Sequence, residues 1–171
     1  MNTALLIIDM LNDFVLENAP LQTPNVRDII FCIQKQKSEA IKNKHIVIYI
    51  CDSHDSDDEE FKIWPKHCIK GTKGAEIIDE LKPYDNDIII EKTRYSGFFN
   101  TKLDSVLKEK NIKNLILTGL LTNVCVMYTA ADAVSRNYNV TVPENCVTAL
   151  DEKTHKFALN QLKNVHNAEI I

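Results

Sequence analysis

Glycine and proline are scarce in this chain, with 4 and 5 copies among 171 residues. That scarcity excludes collagen-like, low-complexity and broadly disordered readings. A basic excess is missing too: 20 Lys and Arg stand against 24 Asp and Glu, a formal net charge of -4. The electrostatic footprint of a nucleic-acid binder is therefore absent at the level of net charge. No apolar run approaches the ~18 residues that a bilayer span needs; Ile46 to Cys51 is among the longest. Asp9 interrupts the apolar stretch Ala4 to Ile8 and no basic segment precedes it, so the N-terminus does not read as a signal peptide. The expectation is a cytoplasmic protein with a small-molecule partner, no nucleic acid and no membrane, and with a homo-oligomer left open. Cys32, Cys51, Cys68, Cys125 and Cys146 are odd in number, widely spaced and free of C-x-x-C. They argue against a disulfide framework and a zinc ribbon, and are expected to be free thiols.

What is present is a 44% hydrophobic, 26% charged chain of a length that suits one domain, residues 1–171. Such a chain buries roughly 70% of the surface it would expose unfolded. Short β-branched runs alternate with helical patterns, which predicts an α/β fold: a parallel sheet with helices on both faces, three layers in all. The candidate strands are Ala4 to Ile8, Ile46 to Cys51, Ile88 to Glu91, Leu115 to Thr118, Val140 to Val142 and Glu169 to Ile171. Thr23 and Pro24 read as the cap and first residue of a helix carrying Val26, Ile29, Ile30 and Ile33. Leu103, Val106 and Leu107 mark another, and Val124 to Val134 a third. Asp151 opens a last helix expected to turn Phe157, Ala158, Leu162 and Val165 inward. One connection is long, from Asp52 to Asp87, and within it only Ala75 to Leu81 reads as helix. Long loops in compact domains are usually functional.

In an open α/β sheet, ligands bind beyond the carboxyl ends of the strands, so residues just past a strand come first. Asp9 ends the first strand; it caps the turn or acts as a base. Lys92 ends the third, where the bland alternative is a solvated surface lysine. Cys125 follows the fourth, after Gly119 and a short turn, in the expected first turn of a helix. There the macrodipole and nearby backbone N–H groups favour thiolate over thiol. A base, a cation and a nucleophile would thus converge on one point. In the long loop, Asp52 and His54 form D-x-H, and W-P-K-H-C at Trp64 to Cys68 adds His67. With Glu60 these make a mixed oxygen and nitrogen set suited to zinc, iron or manganese. The remaining acidic residues of the run Asp55 to Glu60 read as a solvated loop, and His45, His155 and His166 are assigned to structure or solvent.

Four ordered motifs, LLIIDMLNDF, CDSH with WPKHCIKGTKGAE, EKTRYSGF and LTGLLTNVCVMYTAADA, cover roughly Ala4 to Leu150. Together the chain resembles the nicotinamidases of the isochorismatase-like cysteine hydrolases. The first, third and fourth motifs match the wider superfamily; the second points to nicotinamidase. The resemblance implies a Rossmann-like domain with six parallel strands and a metal-binding loop at about 52–74. It implies a catalytic triad of Asp9, Lys92 and Cys125, and one divalent ion, zinc before iron or manganese. The ion would be held by Asp52, His54 and His67, with Glu60 as a further ligand. Phe14 and Trp64 would stack on a pyridine ring, and the backbone N–H groups of Leu121 and Cys125 would form an oxyanion hole aimed by a cis peptide between Leu120 and Leu121. The implied reaction converts nicotinamide to nicotinate and ammonia through a thioester, a step of NAD salvage. Its rivals are the same chemistry on another small amide, such as pyrazinamide or a carbamoyl compound, and a catalytically idle scaffold. Asn123 and Val124 depart from the common Asp and the aromatic, His or Ile before the nucleophile. Phe98 and Phe99 are expected in a pocket region where other members of the family vary.

Overall fold

A computed structural model describes residues 2–171. Seven parallel strands form one sheet: β1 (Thr3–Ile8), β2 (Ile46–Asp52), β3 (Ile88–Lys92), β4 (Asn114–Leu120), β5 (Asn139–Val142), β6 (Val147–Thr148) and β7 (Glu169–Ile170). Their order is β3-β2-β1-β4-β5-β7, while the short β6 pairs with the far end of β4, Gly119 against Val147 and Leu120 against Thr148. β6 is an addition to the six expected strands. Two residues carry no readable period, so only the pairing shows it.

The strands read as continuous apolar runs because both faces are covered. Leu6, Ile8, Ile48, Ile50, Leu115 and Leu117 pack into one core. The alternate residues Leu5, Ile7, Val47 and Tyr49 pack into the other, with α1 (Asn12–Val15) and α2 (Val26–Lys42). The first core is closed by α3 (Leu103–Glu109), α4 (Met127–Ser135) and α5 (Glu152–Asn164). Among the described residues no helix is long and apolar enough to cross a membrane.

Four local expectations are corrected. α2 is entered from Asn25 in the left-handed conformation, with no side-chain cap; Thr23 instead donates its N–H to Phe14 O and buries itself in the turn back over α1. The Ala75 to Leu81 stretch contains only the short 3-10 turns Lys73–Ala75 and Asp79–Leu81. Asp151 does cap α5, accepting from Thr154 N, but the helix buries Ala158, Leu159 and Leu162. Phe157 and Val165 lie off that stripe and are 58% and 63% exposed. Cys32 and Cys146 form a disulfide joining α2 to the turn before β6, with Cα atoms 5.3 Å apart; Cys51, Cys68 and Cys125 are free and buried. Spacing 114 residues apart in the chain gave no hint of that pairing.

Strand order reverses between β1 and β4, whose neighbours lead to opposite edges of the sheet. The crevice beyond their carboxyl ends is the switch point at which open α/β folds bind ligands.

Candidate active site and metal centre

Asp9 is the first residue beyond β1. Its backbone is left-handed, φ 52°, a conformation costing a non-glycine residue about 1–3 kcal/mol. Two contacts with the neighbouring strand hold it there: its N–H donates to Ile50 O at 2.9 Å, and its Oδ1 accepts the Asp52 N–H at 2.9 Å. On the other side, Ile8 is paired with Gly119. Gly119 has φ 103°, and a Cβ there would stand 2.0 Å from Ile8 O. The two strands that frame the crevice can approach only because residue 119 has no side chain.

Lys92, the last residue of β3, lies in register with Asp52 and reaches across β2. Its Nζ is ion-paired with Asp52, lies 2.9 Å from Asp9 Oδ2 and 3.4 Å from Cys125 Sγ. All four side chains are buried. Cys125 sits in a wide π-type turn, Thr122–Val126, closed by Val126 N–H donating to Leu121 O, and α4 begins only at Met127. Thr122 Oγ1 lies 2.9 Å from His155 Nδ1 on α5, which anchors the turn to the helix behind it. The peptide bonds are trans throughout the described residues, so the expected cis bond between Leu120 and Leu121 is not found. Leu121 enters the turn with an ordinary extended backbone, φ -84° and ψ 143°.

Burial raises the Asp9 carboxyl to about 6, helped by Asp52 and opposed by Lys92. Burial alone would raise Asp52 too, but Lys92, His54 and His67 overcome it and hold Asp52 well below the carboxylate range. The two carboxylates keep the Lys92 ammonium charged despite its burial. For Cys125 burial outweighs the lowering by Lys92, so the thiol is held protonated. This corrects the expectation of a thiolate favoured by a helix terminus: the wide turn postpones the helix, and desolvation penalises the charged form. A carboxylate near neutral pKa beside a protonated thiol is an acid-base pair suited to removing that proton during attack.

The long loop brings a second group of side chains to the same crevice. Ligand atoms of Asp52, His54 and His67 all lie within 4.8 Å of one another. Both imidazoles are oriented from behind, His54 Nδ1 by Asp58 Oδ2 at 3.1 Å and His67 Nδ1 by Pro65 O at 2.7 Å. That leaves both Nε2 atoms toward Asp52, at 3.8 and 3.7 Å from its Oδ2. His54 Nε2 is buried without a hydrogen-bond partner among the described residues. An orphaned imidazole nitrogen, a second imidazole fixed through its other nitrogen and a carboxylate fit a divalent transition metal. Glu60 is buried on the pocket wall, its carboxyl raised by desolvation. It stands outside the close-set three, with Arg94 Nη1 3.8 Å from its Oε2.

One pocket joins the two groups, lined by Asp9, Asp52, Glu60, His67, Leu121 and Cys125, with Phe14 and Trp64 also in its wall. Phe14 meets the His67 ring edge-on at 5.5 Å, and Trp64 Nε1 donates to Tyr95 OH at 3.1 Å. Phe98 is not in the pocket; it is buried against Tyr138, and Phe99 is half-exposed. Sequence reasoning missed Tyr95 and Leu21 in the pocket wall. It also missed Asp58, which was read as part of a solvated acidic run. Asp58 caps the turn Glu59–Lys62 through Glu60 N, is bound by Arg94 Nη1 at 2.9 Å, and so presents a fixed carboxylate to His54. The signal was available in the i, i+4 spacing from His54, though nothing in the composition of the run singles out that member.

Residues 3–171 match the isochorismatase domain. The fold superposes on a pyrazinamidase/nicotinamidase from Streptococcus mutans with TM-score 0.94 and 34% identity, over 99% of this chain and 100% of that one. An N-carbamoylsarcosine amidase from Thermoplasma acidophilum gives TM-score 0.91 and 36% identity over 99% and 95%. A pyrazinamidase of Pyrococcus horikoshii, solved in complex with zinc, gives 0.94 and 25% over 100% and 99%. With a matching domain across nearly its whole length and these geometries at its strand ends, the chain belongs to the isochorismatase family of hydrolases.

Proposed function

We propose that this chain is a nicotinamidase, hydrolysing nicotinamide to nicotinate and ammonia in NAD salvage. The observation that carries the reading is the shared pocket: a thiol 3.4 Å from the Lys92 ammonium and an Asp52, His54, His67 set that reaches the same cavity through Asp52 and His67. A carbamoyl amidase needs the first group; a pyridine ring nitrogen gives the second something to face. Similarity to a pyrazinamidase/nicotinamidase and to a zinc-bound pyrazinamidase supports this choice.

Cys125 Sγ attacks the amide carbon while Asp9 takes the thiol proton. Asp9 returns that proton to the nitrogen as the carbon–nitrogen bond breaks, and ammonia leaves a thioester on Cys125. Water then attacks the thioester; Asp9 takes one of its protons and passes it back to sulfur as nicotinic acid departs, which gives up its remaining proton to the released ammonia to become nicotinate. Lys92 holds Asp9 in place and offsets the negative charge that moves between carboxylate and sulfur. Leu121 and Cys125, both in the pocket wall, are the proposed backbone N–H donors to the carbonyl oxygen, here without the cis peptide, each donor worth about 3 kcal/mol in comparable sites. Phe14 and Trp64 sandwich the ring. A divalent ion, zinc first in expectation, would be held by Asp52, His54 and His67, with Glu60 as a further ligand, and would orient the ring rather than generate the nucleophile.

Ammonia release from nicotinamide by the purified protein, lost in Cys125→Ala, is the expected outcome. Release from a carbamoyl substrate with none from nicotinamide would overturn the substrate assignment and leave the cysteine chemistry standing.

A further inference from the structure

The Cys32–Cys146 bond lies apart from the pocket chemistry, and the two cysteines differ in access. Cys32 is partly exposed on α2, while Cys146 is fully buried at the end of the turn Glu144–Cys146. Directly after Cys146 come β6, which pairs with Gly119 and Leu120 of β4, and then Leu150 in the pocket wall. On the other side, α2 follows the loop that brings Leu21 to the same wall. The disulfide therefore ties together two segments that each lead into the pocket, and it does so from behind. The other three thiols are free and buried. Cys32, partly buried against the core beneath α2, is the less buried member of the bonded pair, whereas Cys146 is fully buried.

We propose that Cys32 and Cys146 form a thiol-exchange site that reacts with low-molecular-weight disulfides and thiols, and that its closed form locks α2 to the segment behind the pocket wall. The Cys32 thiolate attacks a disulfide RSSR, giving the mixed disulfide and one RS⁻. Cys146, having lost its own proton, then attacks the Cys32 sulfur and expels the second RS⁻. Two cysteine thiols are oxidised, one RSSR is reduced to two RSH, and the two cysteine protons end on the released thiolates. Because the bond closes a segment of 114 residues, it removes much freedom from the unfolded chain. Its chief effect is on stability, and Cys125 keeps its thiol in both forms.

The full chain is equilibrated in buffers of varied oxidised-to-reduced glutathione ratio, quenched in acid, alkylated after denaturation and mapped by peptide mass. The expected result is one linked peptide pair, Cys32 with Cys146, whose population follows the ratio, with Cys51, Cys68 and Cys125 alkylated throughout. Reduction should lower the thermal midpoint by about 5–10 °C, and a Cys32→Ala, Cys146→Ala double variant should show no such response. Absence of the linked pair at every ratio would overturn the proposal. So would a bond whose opening leaves the wild-type midpoint unmoved. The wild-type arm decides both points even if the double variant folds poorly, and neither depends on which amide the enzyme hydrolyses.

Discussion

Lys37 and Lys92 are both buried cations paired with carboxylates, and they differ in what surrounds the pair. Lys37 Nζ donates to Tyr49 OH at 2.8 Å and to Lys82 O at 2.9 Å, and meets Asp87 Oδ2 at 3.0 Å. An ammonium has three N–H groups, and here each has one acceptor; the Tyr84 ring covers the head at 4.0 Å. Charge is balanced one to one, and the cluster clasps the end of the long loop to α2 and β2. Lys92 also meets three groups, but two are carboxylates and the third is a thiol. Asp9 Oδ2, although close to Nζ, has no well-aligned hydrogen bond among the described residues, and the cluster opens on a pocket. A buried charge that is fully matched and sealed holds structure together. One left with surplus negative charge beside an opening can move protons.

The contrast can be tested most strongly at the proposed nucleophile. Cys125→Ala should lower ammonia release by more than about 10³-fold, some 4 kcal/mol of barrier, while the urea midpoint stays near wild type. Retained turnover would place the chemistry elsewhere in the pocket. Lys37→Met should do the reverse. It strands Asp87, a loss of about 3–5 kcal/mol for a broken buried pair, read as a lower urea midpoint, while kcat per folded molecule stays within about twofold. A large fall in kcat at unchanged stability would erase the distinction between the two lysines.

Smaller effects sharpen the picture of the loop. Asp58→Ala removes the carboxylate behind His54 and should weaken the proposed metal site's affinity for zinc by about 10- to 100-fold, measured by competition with a chromogenic chelator. Unchanged affinity would mean that His54 is oriented without it. Smallest is Phe157→Ser on the outer face of α5, expected within about 0.5 kcal/mol in urea unfolding. A loss above about 2 kcal/mol would show that Phe157 packs inward after all.

Much of the sheet was legible because strands covered on both faces must read as apolar runs, and the charged residues that end such runs stand out. Asp9, Asp52 and Lys92 were found in that way, and the structure brings them together with Cys125. Features that depend on pairing across the fold were not legible. Cys32 and Cys146 look alike whether bonded or free; Val147 and Thr148 become a strand only beside Gly119 and Leu120. Phe157 is apolar enough to suggest burial, yet the stripe of α5 is set by what lies beneath it. Asp58 was hidden in a run of similar residues, since composition cannot say which member a histidine will find.

The bare Cα of Gly119 has a consequence for how this chain can change. A methyl group there would collide with the backbone carbonyl of Ile8, and backbone cannot rotate aside as a side chain can. Loops, helix faces and even pocket walls can drift through many sequences, but this position has a single permitted letter. A change in the shape of the pocket would have to be made elsewhere in its wall, for instance at Leu21, Val124 or Leu150, with the seam between the two central strands left as it is.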